Sequence, residues 1–191
     1  MLAATIAIMF KLQAKEECFQ NYHYFFLSEY SFLEEHGRGS SEETVCEFIK
    51  TNYFARELPP LSKDRLKRYS LQDTKTETNE PVHGPFKIDA LTINDFQQSN
   101  GGKFECILKD FESLEDWGND LADFKENVEC SLRLIRTYNI EKDDVFHLNK
   151  DVLDKASAKL IDNHFIYTYY LTFIIVNIER RRLLLLDYGF D

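Results

Sequence analysis

The side chains of this chain that could do chemistry are five histidines, four cysteines and one acidic run. His23, His36, His83, His147 and His164 are spaced so that no two lie within four residues of each other, which leaves no local metal pair. His164 stands next to Asp162-Asn163, and an Asp/His pair can serve as acid and base. The competing reading is a loop that enters a strand, and it is the better one. Cys46 or Cys106 could act as a nucleophile if the fold brought a histidine to it. Neither has a basic neighbourhood that would lower a thiol pKa, although Cys46 falls near the start of an expected helix. Cys18, Cys46, Cys106 and Cys130 form no CxxC pair, so all four are expected to be reduced and packed as small apolar groups. A reducing, cytoplasmic setting follows from that expectation.

The densest polar constellation is acidic. From Glu105 to Glu129 nine acids face two lysines. Within it Asp116, Asp120, Asp123 and Asn127 recur at steps of 4, 3 and 4, which would align them along one face of a helix. That ridge is the candidate binding site, and a basic protein is the partner it would take. The alternative is an ordinary solvated helix face. A divalent cation would need further ligands from elsewhere, so no metal site is assigned. Basic residues concentrate at Lys63/Arg65/Lys67/Arg68 and at Arg180-Arg181-Arg182. The three arginines could contact phosphate, pair with the chain's own acidic helix, or keep the end of a sheet soluble.

Composition narrows the classes. The net charge of −10, from 33 acids and 23 bases, repels nucleic acid and anionic lipid over most of the surface. No dinucleotide-binding, phosphate-loop, nucleophile-elbow or zinc-protease motif occurs, and no cofactor is expected. Met1 to Phe10 is nearly all apolar but lacks the basic start of a signal peptide. The run from Phe165 to Val176 is too short, and too rich in aromatic and β-branched residues, for a transmembrane helix. With 43% hydrophobic and 14% aromatic residues the chain can fill a large core.

The elements that would hold these residues are read from periodicity. Phe19, Tyr22, Phe26, Tyr30 and Leu33 step by 3 and 4, predicting a helix from about Leu12 to Glu35. Ser40 or Ser41, with Glu43 or Thr44 near the N3 position, caps a second helix that carries Val45, Phe48 and Ile49. Residues 61–85 are polar and aperiodic after a short basic stretch and read as a loop. Phe86 to Ile93 and Lys103 to Phe111 read as strands separated by Asn100-Gly101-Gly102. A helix opened by Ser113 carries Trp117, Leu121, Phe124, Val128, Leu132 and Ile135, and a shorter one spans about Lys150 to Ile161. The C-terminal run forms a hairpin turned by the arginines, and its first strand is apolar on both faces, as in a sheet centre.

The expected architecture is α+β: a helical N-terminal part (1–60), a loop or linker (61–85) and an α+β part (86–191) with a mostly antiparallel sheet of about four strands and helices packed on it. The expected function is a non-catalytic, intracellular, protein-binding module with an acidic surface, possible forms being an inhibitor or immunity-type protein that neutralises a basic partner. A small hydrolase with a dispersed His/Asp/Cys site and a structural subunit of a complex are the alternatives.

Overall fold

The computed structural model describes residues 8–20, 23–34, 39–56, 81–114, 121–149, 158–160 and 169–190 of the 191-residue chain. Among the described residues there are eight strands: β1 (Ile8–Gln20), β2 (His23–Glu34), β3 (Val82–His83), β4 (Phe86–Lys87), β5 (Gln97–Asn100), β6 (Asp144–Asn149), β7 (Tyr169–Asn177) and β8 (Arg182–Phe190). Three helices accompany them: α1 (Ser41–Ile49), α2 (Phe104–Leu114) and α3 (Leu121–Arg136). Six strands form one antiparallel sheet in the order β1-β2-β8-β7-β6-β5, and β3 and β4 pair apart from it.

This corrects the expected architecture. The N-terminal part is not helical: it begins with the two longest strands of a six-stranded sheet. The misreading has a physical cause. β2 is buried on both faces, with Tyr24, Tyr30 and Phe32 on one side and Phe25 and Leu27 on the other. When both faces carry apolar residues, a 3-and-4 subset can be found among them, and period stops discriminating helix from strand. The better signal was composition, since aromatic residues crowd 23–32 as strands prefer.

Two further elements change type. Lys103 to Phe111, expected as a strand, lies largely in α2, whose buried stripe is Phe104, Leu108 and Phe111 at steps of 4 and 3. Phe86 to Ile93 is β4 for two residues and then turns through 3-10 segments at Ile88–Ala90 and Ile93–Asp95. Ser113 does not cap a helix; its hydroxyl donates to the carbonyl of Asp110 inside α2. The expected helix over 150–161 falls outside the described residues except for 158–160, where Leu160 bridges to Phe86.

Other elements form where the local chemistry directs. Ser40 caps α1: its Oγ accepts from the Glu43 amide (3.1 Å) and the Glu43 carboxylate accepts from the Ser40 amide (2.8 Å). Such reciprocal capping contributes about 1 kcal/mol. The C-terminal hairpin is β7 and β8, with residues 178–181 in the turn and Arg181 in the left-handed region (φ 51°).

The sheet is covered on both faces. On one, α1 and the 81–96 segment pack over Tyr170, Ile174, Leu183 and Leu185, with Phe48 of α1 set edge-on to Phe10 and Tyr30, each at 5.0 Å. On the other, α2 and α3 cover Phe173, Ile175, Leu184 and Leu186; Phe104 meets Phe173 at 4.9 Å and Phe124 meets Tyr169 at 5.4 Å. β7 and β8 are therefore buried on both sides, as their apolar runs require.

Gly189 shows how tightly the first face is filled. In register it lies between Tyr24 of β2 and Tyr170 of β7, whose rings are 6.5 Å apart. A Cβ at this position would sit 1.9 Å from the Tyr24 hydroxyl. Both rings are buried and cannot swing aside, so Gly189→Ala is expected to lower stability by about 1–3 kcal/mol in urea unfolding. An unchanged midpoint would show that the rings can move.

Candidate functional site

The titratable side chains that the fold gathers lie under the sheet's first face. Arg56 leaves the chain after α1, and its backbone pairs with β3: its amide donates to the Val82 carbonyl and its carbonyl accepts from the Gly84 amide, both at 3.0 Å. That pairing places Arg56 and His83 side by side over β7 and β8, where Thr172 and Asp187 are cross-strand neighbours. His83, Thr172 and Asp187 are fully buried.

The hydrogen bonds close on themselves. His83 Nδ1 lies 2.5 Å from the Phe54 carbonyl oxygen, and Nε2 lies 2.8 Å from Asp187 Oδ1 and 3.0 Å from Thr172 Oγ1. Oxygen atoms thus stand within hydrogen-bond distance of both ring nitrogens of His83. The Thr172 hydroxyl donates to Asp187 Oδ1 at 3.0 Å. Arg56 Nη1 is 2.6 Å from Asp187 Oδ2, a charge contact off the hydrogen-bonding line, and Arg56 Nη2 donates to Ser28 Oγ at 2.9 Å. The guanidinium also sits over the Phe26 ring at 4.9 Å, and Phe54 stacks on His83 at 4.0 Å. Burial alone would raise the Asp187 pKa. The charges of His83 and Arg56, with hydrogen bonds from His83 and Thr172, outweigh it and hold the carboxyl below its ordinary value.

Thr, His and Asp together suggest a nucleophilic triad, but the geometry is wrong for one. A relay needs the nucleophile on one ring nitrogen and the carboxylate on the other. Here both share Nε2 while Nδ1 is held by backbone. The cluster is also sealed: its three central side chains have no exposure to a substrate, and neither described cavity is lined by them. What it can do is hold Arg56, β3 and the two central strands together.

A second polar group stands at the hairpin turn. Asp143, 2% exposed, accepts from Arg182 Nη2 at 2.8 Å and from the Asn177 side-chain amide, and Arg182 lies over the Tyr138 ring at 5.4 Å. Arg180 donates to the Tyr138 carbonyl at 3.3 Å, and Arg181 is exposed. Arg180 and Arg182 thus bind the chain's own loop after α3. Beside them a polar hollow of about 480 Å³ is lined by Glu141, Lys142, Asp144 and Arg180 among others. A larger hollow of about 620 Å³ lies against α1, between Cys46, Ile49, Ile88, Leu91 and Ile93. Burial raises the Cys46 thiol, the opposite of what a nucleophile requires.

The acidic ridge is only partly brought together. Asp116 and Asp120 lie outside the described residues. Asp123 is half-buried on α3, and Asn127 is buried at 2% exposure, turned to the sheet, with neither side-chain atom hydrogen-bonded. The outer face of the helical layer is mixed in charge: Glu112 pairs with Lys125 at 2.9 Å and Glu105 with Arg136 at 2.7 Å. His164, Asp162, His36 and the Lys63–Arg68 stretch also fall outside the described residues. His147 stacks on Phe173 at 5.7 Å, with its pKa lowered by burial against a backbone hydrogen bond at Gln97 that raises it. Among the described residues no group of three or more His, Cys, Asp or Glu could hold a metal ion.

The cysteine expectation needs correction. Cys18 of β1 and Cys130 of α3 form a disulfide, with Cα atoms 6.8 Å apart, while Cys46 and Cys106 are free. A separation of 112 residues hid the pair from sequence spacing. The cysteines therefore do not point to a reducing compartment. No described helix is long and apolar enough to cross a membrane. Comparison of the chain with protein-family models, with curated proteins and with solved structures finds no match.

Two outcomes test this account. Asp187→Asn leaves Arg56 and His83 without their counter-charge and is expected to cost about 3–5 kcal/mol in denaturant unfolding. Because the Asp187 pKa is depressed, its contribution is complete above the ordinary carboxylate value and is lost as pH falls below about 4. The wild type should show that acid limb, and an Asn variant that keeps it would overturn the assignment. Separately, the oxidised chain unfolded in denaturant should titrate two thiols, Cys46 and Cys106; four would exclude the disulfide.

Proposed function

We propose that the protein is a non-catalytic protein-binding module that takes its partner at the free edge of the sheet, strand β1 with its hairpin mate β2. The observation that carries this reading is the edge itself. β1 runs for 13 residues, pairs on one side with β2, and ends the sheet on the other among the described residues. The hairpin also holds the large exposed apolar side chains Met9 (61%), Leu33 (55%) and Leu12 (37%). Met9 and Leu33 are direct cross-strand partners. Long exposed edges are usually blunted, because unpaired backbone groups recruit other strands. Strand addition is a common mode of protein recognition: the backbone supplies affinity, and pockets for alternate side chains supply specificity.

The net charge of −10 favours a basic partner, and Glu16-Glu17 on the edge is where its charge would be met. An inhibitor or immunity-type protein is one concrete form. A cytoplasmic setting stays part of the proposal, and there the Cys18–Cys130 pair would meet a reducing thiol pool. The mixed charge of the helical layer and the burial of Asn127 turn the search from the acidic helix to this edge.

A nine-residue peptide of alternating valine and lysine serves as a probe. Its titration should shift the backbone amide resonances of residues 8–20, with affinity falling as salt is raised. Shifts confined to other elements, or no shift at all, would sink the proposal.

A further inference from the structure

We infer that the edge of β1 pairs with β1 of a second copy, across a two-fold axis, to make one continuous antiparallel sheet. This rests on the reading of β1 as a docking edge; the second copy occupies that edge until a basic partner displaces it.

β1 carries a β-bulge. The β1–β2 register steps from Leu12↔Tyr30 to Ala14↔Glu29, so Gln13 is an extra residue. Its side chain is pinned to its own hairpin, donating to Ser31 Oγ at 2.8 Å and to the Lys11 carbonyl at 3.1 Å. The bulge changes which side chains share a face. Lys11 stands opposite Ser31 and Glu16 opposite Leu27, and Ser31 and Leu27 lie on the same face of β2. Lys11 and Glu16 therefore share a face, which an unbulged strand would deny to residues five apart.

A two-fold axis perpendicular to the sheet sets two copies of β1 antiparallel and keeps each face continuous. With the axis between Gln13 and Ala14, Lys11 of each copy lies opposite Glu16 of the other. Facing positions then agree on both sides of the bulge: Leu12 opposes Lys15, Phe10 opposes Glu17 and Met9 opposes Cys18. Two Lys–Glu pairs form, and no like charges stand directly opposite. Lys11, Lys15, Glu16 and Glu17 are all exposed, and none has an ion-pair partner among the described residues. The Lys15 stem would cover Leu12 of the second copy. Met9 would come beside Cys18, which the disulfide ties to α3, so the most exposed apolar side chain of the hairpin gains a neighbour.

The test is the oligomeric state of the full chain by sedimentation velocity from about 1 to about 100 µM. A dimer is expected, weakened by salt. Lys11→Glu and Glu16→Lys should each raise its dissociation constant by about tenfold, and the double exchange should return it to within about threefold. A monomer throughout, or single exchanges without effect, or a double variant no tighter than the singles, would overturn the inference. The peptide titration separates the two levels. A monomer whose 8–20 amides still respond to the peptide loses the second copy alone. A monomer whose amides ignore it loses the docking edge as well.

Discussion

The pairing of β7 with β8 is the constraint on which the rest of the molecule depends. Their side chains are buried on both faces, so every other described element packs on them, pairs with them or extends their sheet. Backbone amides and carbonyls in so dry a place must find partners, and antiparallel pairing supplies them along nine residue pairs. β2 and β6 pair with the outer sides of this hairpin, and the two helical layers follow because neither apolar face can be left wet.

The one buried carboxylate of that hairpin explains much of the first face. Asp187 sits where an apolar residue would be the simplest choice, and it draws in a guanidinium, an imidazole and a hydroxyl. Such a group is weak evidence of net stability, because desolvation opposes the attraction. The arrangement that pairs Arg56 with β3 and sets both over β8 brings His83, Thr172 and Arg56 to the carboxylate together. The cluster thus ties Arg56 and β3 to the two central strands.

The other end of the sheet is governed differently. β5 is four residues long, and beyond β2 the edge strand β1 is long, charged and bulged at Gln13. Charges and bulges are the devices that discourage indiscriminate strand pairing. The disulfide to α3 ties this strand to the second helical layer.

Some of this was determined by the sequence alone. The cap of α1 is local chemistry, legible in Ser40 and Glu43. The C-terminal hairpin is legible because its β-branched and aromatic run is broken by a charged turn. The helix through Phe124 and Ile135 shows in its stripe, although Asn127, which was grouped with the outward acids, proves to face inward. Tertiary structure decided the rest. Whether β1 and β2 wind or extend depends on both faces being covered, by α1 on one side and by α3, far along the chain, on the other. The Arg56–His83–Thr172–Asp187 cluster and the Cys18–Cys130 bond join segments too distant for any spacing rule to connect. Local signals report local energies; contacts across the sheet exist only once the chain has closed on itself.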